Sequence, residues 1–160
     1  MHIHHPLNEL IKALDHGGLR AGLVFLNQRV PHRFTAVYKL ENDVFRLQEL
    51  VDKLDEPASE MLQAVPFDDS FCQFSVALSE FVSNNTAADS RLDGHKYQGV
   101  VGSYVGLPLT VMPTGLYGTF CHYDLVPQSI SDDEFEYLQR ATRVLPKYFH
   151  RRSVTNVQPL

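Results

Sequence analysis

Residues 100–124 constrain the fold more than any other part of this 160-residue chain. Residues 100–111 are rich in Val, Leu and Tyr, types that suit a pleated, buried surface. Met112-Pro113-Thr114-Gly115 follows as a turn: proline presets one dihedral and glycine permits positive φ. Residues 116–124 return as a second strand. Period-two alternation puts Tyr117, Thr119, Cys121 and Tyr123 on one face, with Phe120, His122 and Asp124 on the other. Neither strand alternates cleanly between apolar and polar residues. That predicts a hairpin covered on both faces by other parts of the chain.

The flanking sequence supplies the covers. Pro6 suits a first helical turn, and Leu7, Leu10, Ile11 and Leu14 recur at helical spacing. Gly17-Gly18 interrupts this period, and Leu19, Leu23 and Leu26 resume it toward Pro31, so a helix, a break and a second helix are expected. Residues 34–40 and 44–51, on either side of Glu41-Asn42-Asp43, read as a β-hairpin with Phe45, Leu47 and Val51 on one face and Arg46 and Gln48 on the other. Residues 52–69 are acidic and broken by Pro57 and Pro66; they read as a connector with one helical turn over 58–63. Ser70 caps a helix running to about Ser79, with Phe71, Phe74 and Leu78 on one side. A short strand over 80–84 and a polar loop over 85–97 lead into the central hairpin. Ser131 with Glu134 three residues later is a capping box, opening a last helix with Phe135, Leu138, Thr142 and Leu145 on its stripe. This order of elements is that of an α+β fold: a mostly antiparallel sheet with helices on its faces.

The length is one domain's worth, with a core over about 19–148 and tails at 1–5 and 151–160. The three histidines of residues 1–5 read as a tail or a purification-tag remnant. A formal net charge of −5 argues against a general nucleic-acid binder. No apolar run approaches the roughly 20 residues of a membrane helix, and the N-terminus lacks a signal-peptide pattern. A cytoplasmic protein whose two cysteines, Cys72 and Cys121, stay as thiols is expected. The other histidines are too dispersed for a metal spacing, and His32-Arg33 reads as a surface corner after Pro31. There is no Gly-rich phosphate loop, G-x-S-x-G or CxxC motif.

Several short motifs resemble those of bacterial GAF domains. Ser103-Tyr104-Val105-Gly106-Leu107-Pro108-Leu109 resembles S-Y-x-G-x-P-L, and Gly118-Thr119-Phe120-Cys121 with Asp124 resembles G-T-L-C-x-x-D. Phe71-Cys72 matches an F-C pair opening the middle helix. Val82, Asn85, Asp89, Ser90, Arg91 and Leu92 follow V-x-x-D-x-x-x-D-P-R-F, with Asn85 for Asp and Ser90 for Pro. Phe120 replaces Leu, and Gln128 stands where Arg is common. The resemblance implies an antiparallel sheet with N- and C-terminal helices on one face and a ligand pocket under a helix and loops on the other. It also implies a small-molecule-binding signalling module, with a homodimer through those helices or a signalling partner protein.

Mapped onto this chain, the pocket would draw on Phe71, Cys72, Asp89, Arg91, Ser103, Tyr104, Cys121 and Tyr123. Asp89 and Arg91 would either hold an anionic or zwitterionic ligand or pair with each other to order their loop. Either Ser103 or Tyr104 points inward, and Tyr38 offers a further aromatic wall. The family's bilin-binding members carry a Cys-His pair, but the surroundings of Cys121-His122 do not match theirs, and the cyclic-nucleotide motif is absent. No cofactor, metal or catalytic residue is assigned. Two other functions stay open. One is a thiol enzyme like the free methionine sulfoxide reductases, which needs Cys72 and Cys121 within disulfide reach. The other is a purely structural module whose pocket is filled by Phe71, Tyr104 and Tyr123.

Overall fold

A computed structural model of the chain describes residues 6–111 and 115–149. The expected turn at Met112 to Thr114, the N-terminal histidines and the C-terminal tail lie outside the described residues.

Six strands form one antiparallel sheet in the order β3-β2-β1-β6-β5-β4. They are β1 (Phe34–Glu41), β2 (Val44–Asp52), β3 (Ala64–Pro66), β4 (Phe81–Ser83), β5 (Ser103–Val111) and β6 (Gly115–Asp124). β6 sits between β1 and β5 and is buried from Gly118 to Asp124, so the hairpin is covered on both faces as its sequence requires. Gly118 lets β1 approach: a Cβ there would run into the backbone carbonyl of Tyr38.

Helices α1 (Asn8–Asn27) and α4 (Asp132–Ala141) cover one face. α1 breaks at Gly18, whose φ of 75° and ψ of −165° are not helical. The bend brings Gly22 against Leu14, residues that a straight helix would hold about 12 Å apart. The expected break is therefore the device that lets both halves bury leucines. α4 begins as predicted, the Ser131 hydroxyl accepting from the Glu134 N–H at 3.1 Å. Arg29 pairs with both oxygens of Glu134 at 2.9 and 3.0 Å and lies 3.7 Å from the Tyr137 ring centroid, which locks α1 to α4. The apolar stripes of the two helices are spent on the sheet. Among the described residues, no strongly exposed large apolar side chain lies on either helix, and no helix is long and apolar enough to cross a membrane.

The other face carries a second core beneath α2 (Glu60–Gln63), α3 (Cys72–Leu78) and the loops between β4 and β5. Two bulges correct the expected faces. In β2, Val37 pairs with Glu49 but Tyr38 with Leu47, which leaves Gln48 as an extra residue. Phe45 and Leu47 therefore face the second core together with Leu50, while Val51 turns to the helices instead of sharing their face. In β6, Tyr117 is the extra residue between the Leu109–Gly118 and Thr110–Leu116 pairs. It stacks on Phe149 at 4.4 Å, on the face opposite Cys121 and Tyr123. Leu78 is 58% exposed rather than packed beside Phe71 and Phe74. β3 appears inside the expected connector as a three-residue edge strand paired with β2.

Candidate functional site

Between the sheet and its second cover lies a cavity of about 320 Å³. β1 contributes Phe34 and Tyr38, β2 Phe45 and Leu50, β5 Tyr104, and β6 Cys121 and Tyr123. These side chains share a face because strand residues two apart point the same way. Phe71 and Cys72 enter from the start of α3, and Met61, Leu62 and Val65 from the connector. Tyr97, Val100 and Val101 close the side toward β5.

Tyr104 is the residue of the Ser103-Tyr104 pair that faces the cavity. Its hydroxyl meets Ser75 Oγ at 3.2 Å and donates to Cys72 Sγ at 3.2 Å. Gly106, two residues on, leaves room for both hydroxyls, because a Cβ there would collide with them. The two cysteines neighbour each other on the cavity floor as buried free thiols. Hydrogen bonds from Cys121 first, and from Tyr104, pull the Cys72 thiol below its ordinary pKa despite burial. Burial pushes Cys121 well above. Burial likewise raises Tyr38, Tyr104 and Tyr123, which stay protonated donors at neutral pH. Tyr38 donates to the Leu62 carbonyl at 2.9 Å. The Tyr123 hydroxyl is close enough to Tyr38 to be influenced by it, but no group among the described residues reaches it with hydrogen-bond geometry.

Five of the eight expected residues therefore line the cavity: Phe71, Cys72, Tyr104, Cys121 and Tyr123. Ser103 does not, because alternation turns it to the opposite face, where its hydroxyl donates to the Val126 carbonyl at 2.9 Å. Asp89 and Arg91 are also outside. They pair through two bonds of 2.6 and 2.9 Å while Arg91 also donates to the Val82 carbonyl, so they order their own loop. That bidentate pairing holds the Asp89 carboxyl down at about 2. The loop is tied further by His95, which bonds the Ser70 carbonyl at 3.2 Å and accepts from the Tyr97 N–H at 3.0 Å.

The mouth carries residues that the sequence did not single out for this place. Arg33 reaches both oxygens of Asp52 at 2.7 and 2.9 Å and Glu56 at 3.0 Å, and all three border the cavity. Its pairing lowers the Asp52 carboxyl below its usual range. Phe34 and Tyr38 signalled this face of β1, and carrying the alternation back to its start would have placed Arg33 at its rim. His32 is not a surface corner: it is fully buried on the helix side, its ring 6.0 Å from that of His122. Among the described residues no cluster of His, Cys, Asp or Glu could hold a metal ion.

A half-wrapped antiparallel sheet, paired terminal helices on one face and a cavity on the other define a GAF-like α+β fold. Solved structures similar to this chain bear that out at low identity. The GAF domain of an Acinetobacter phosphoenolpyruvate-protein phosphotransferase superposes with a TM-score of 0.72 and 14% identity, over 94% of this chain and 95% of that one. The free methionine-R-sulfoxide reductase of Neisseria meningitidis gives 0.70 and 15%, over 96% and 99%. The phycocyanobilin-bound GAF domain of a cyanobacterial phytochrome gives 0.65 and 14%, over 98% and 100%. At such identities the likeness is one of fold alone. No protein-family model and no curated protein sequence matches the chain.

Proposed function

We propose that the chain is a small-molecule-binding regulatory module without catalysis of its own. The observation that carries this reading is the cavity. Its volume of about 320 Å³ falls in the range of ligand sites, roughly 300–1,000 Å³. Phe71, Tyr104 and Tyr123 line it instead of filling it, which speaks against a purely structural module. The loop of residues 89–97 is already held by its own bonds, so ligand would act through Tyr97 at its end and bias the packing of α1 and α4, and a second copy or a partner protein would read that change by contact. Because the large apolar side chains of these helices are turned inward, that contact would be built from their polar faces.

Native mass spectrometry of the protein as purified tests the reading. A non-covalent adduct that disappears on denaturation is the expected result. An apo mass throughout, with no thermal stabilisation by any metabolite of a broad panel, would overturn it.

The contact between Cys72 and Cys121 favours a second reading. Two thiols could reduce a sulfoxide to a sulfide, forming a disulfide and releasing water. The Neisseria structure is that of a free methionine-R-sulfoxide reductase. A loss of two mass units on exposure to free methionine sulfoxide, with methionine formed in equal amount, would establish it.

A further inference from the structure

We infer that the cavity takes an uncharged, two-ring aromatic molecule carrying one hydrogen-bond acceptor. This rests on the binding reading above and names its ligand class. Size comes first. An apolar cavity of roughly 150 Å³ holds one benzene, and this one is about 320 Å³, room for two fused rings. Charge comes next. Among the described residues, the only charged side chains on its walls are Arg33, Asp52 and Glu56, all at the mouth. The charge of Arg33 is already answered by both acids, which it holds through Nε and Nη2. A phosphate, carboxylate or amino-acid zwitterion would lose its hydration without gaining a counter-charge, a cost of several kcal/mol per ion.

The walls favour flat rings. Phe34 stacks on Tyr123 at 4.8 Å and Phe71 meets Tyr104 edge-on at 5.6 Å, and all four line the cavity, so a further flat ring could join this aromatic cluster. Among the described residues that line the cavity, the one unanswered donor is the Tyr123 hydroxyl, 4% exposed as a residue: Tyr38 is its polar neighbour, and its own proton has no acceptor. It stays protonated, so it needs an acceptor, and a carbonyl or ring nitrogen on the ligand supplies one. The mouth agrees. Met61, Val100 and Leu125 border it, each about half exposed, and a bound apolar molecule would cover them.

A matched pair of probes tests this. 2-Acetonaphthone is a neutral two-ring ketone, and 2-naphthoate has the same rings with a carboxylate in place of the ketone. Titration calorimetry and thermal shift on the full chain should show one 2-acetonaphthone bound per protein. 2-Naphthoate should bind at least tenfold more weakly. Tyr123→Phe should weaken the ketone by about five- to tenfold, the usual worth of one hydrogen bond, and leave plain naphthalene unchanged. Val101→Phe, which fills the cavity, should abolish binding of both aromatics. If 2-naphthoate binds more tightly than the ketone and Val101→Phe blocks it, the ligand class is wrong while the binding reading stands. If Tyr123→Phe leaves ketone affinity intact, the acceptor assignment is wrong. If neither probe binds and the purified protein carries no adduct, both readings fall.

Discussion

Acid should unfold this protein earlier than its carboxylates require, and His32 is the reason. The ring is fully covered, and neither nitrogen has a partner among the described residues. Burial, aided by Lys53 and opposed by Asp124, lowers its pKa from 6.5 to about 4. Its neighbour His122 is lowered in the same direction, by burial first and then by His32 and Lys53. Because the folded pKa lies below the unfolded one, the unfolded chain takes up the proton first as pH falls. The stability tied to His32 is complete above about pH 6.5, declines from there, and is gone below about 4. A pKa lowered by one on folding is worth about 1.36 kcal/mol, so the loss by about pH 4.5 is between roughly 2 and 3 kcal/mol. The paired carboxylates Asp52 and Asp89 have lowered pKa values and lose their contribution only below that window. Urea unfolding at constant ionic strength, from about pH 7 to about 4.5, measures the slope. His32→Leu should flatten it by roughly 2 to 3 kcal/mol while changing little at neutral pH, since it removes no hydrogen bond. A variant that keeps the wild-type pH profile would refute this assignment.

Three further outcomes follow from the packing. Gly118→Ala drives a Cβ into the Tyr38 carbonyl at the centre of the β1–β6 pair and should cost about 3 kcal/mol or more, read as a lowered urea midpoint. Asn27 is a buried hub: its amide donates to Thr35 Oγ1 at 2.8 Å and to the His32 and Arg33 carbonyls, and its Oδ1 accepts from Lys53 at 2.9 Å. Asn27→Leu should therefore lose about 2–4 kcal/mol in thermal melts, because several partners are stranded at once. Iodoacetamide labelling followed by peptide mapping should modify Cys72 before Cys121, and Tyr104→Phe should narrow the gap by removing a donor to the Cys72 sulfur.

The features legible in the sequence are those set by local chemistry. The Ser131 cap, the break at Gly18 and the two-sided cover of β6 depend on neighbours in the chain, and each stands where its residues put it. Alternation puts Cys121 and Tyr123 on one face, the family resemblance assigns Phe71, Cys72 and Tyr104 to the pocket, and all five line one cavity. The misplaced residues share a different cause. Val51 follows a bulge and Tyr117 is itself the bulged residue, and one inserted residue reverses every face beyond it without altering composition. His32 is buried where Asn27, Lys53, Asp124 and His122 act on it, residues that come from separate segments of the chain. No local pattern announces that convergence. β3 is three residues long, too short for any period to register.

The same alternation that builds the cavity also ties it to the helices. Along β6, Cys121 and Tyr123 border the cavity while Phe120 and His122 pack beneath α1 and α4. His122 Nδ1 lies 2.7 Å from the Thr35 hydroxyl, which takes its other bond from Asn27 at the end of α1. Asn27 is held in turn by Lys53, the chain neighbour of Asp52, and Asp52 grips Arg33 at the mouth. Arg33 itself follows His32 and donates its backbone N–H to Asp124 at the end of β6. Mouth and helix terminus are thus linked by adjacent residues of β6, of the segment before β1 and of the end of β2. A ligand that moves Tyr123 or loosens Arg33 must move the backbone shared with His122 or His32. Closely packed protein interiors transmit such shifts. On the binding reading proposed above, the C-terminal turn of α1 is where occupancy of the cavity would be felt first on the helical face.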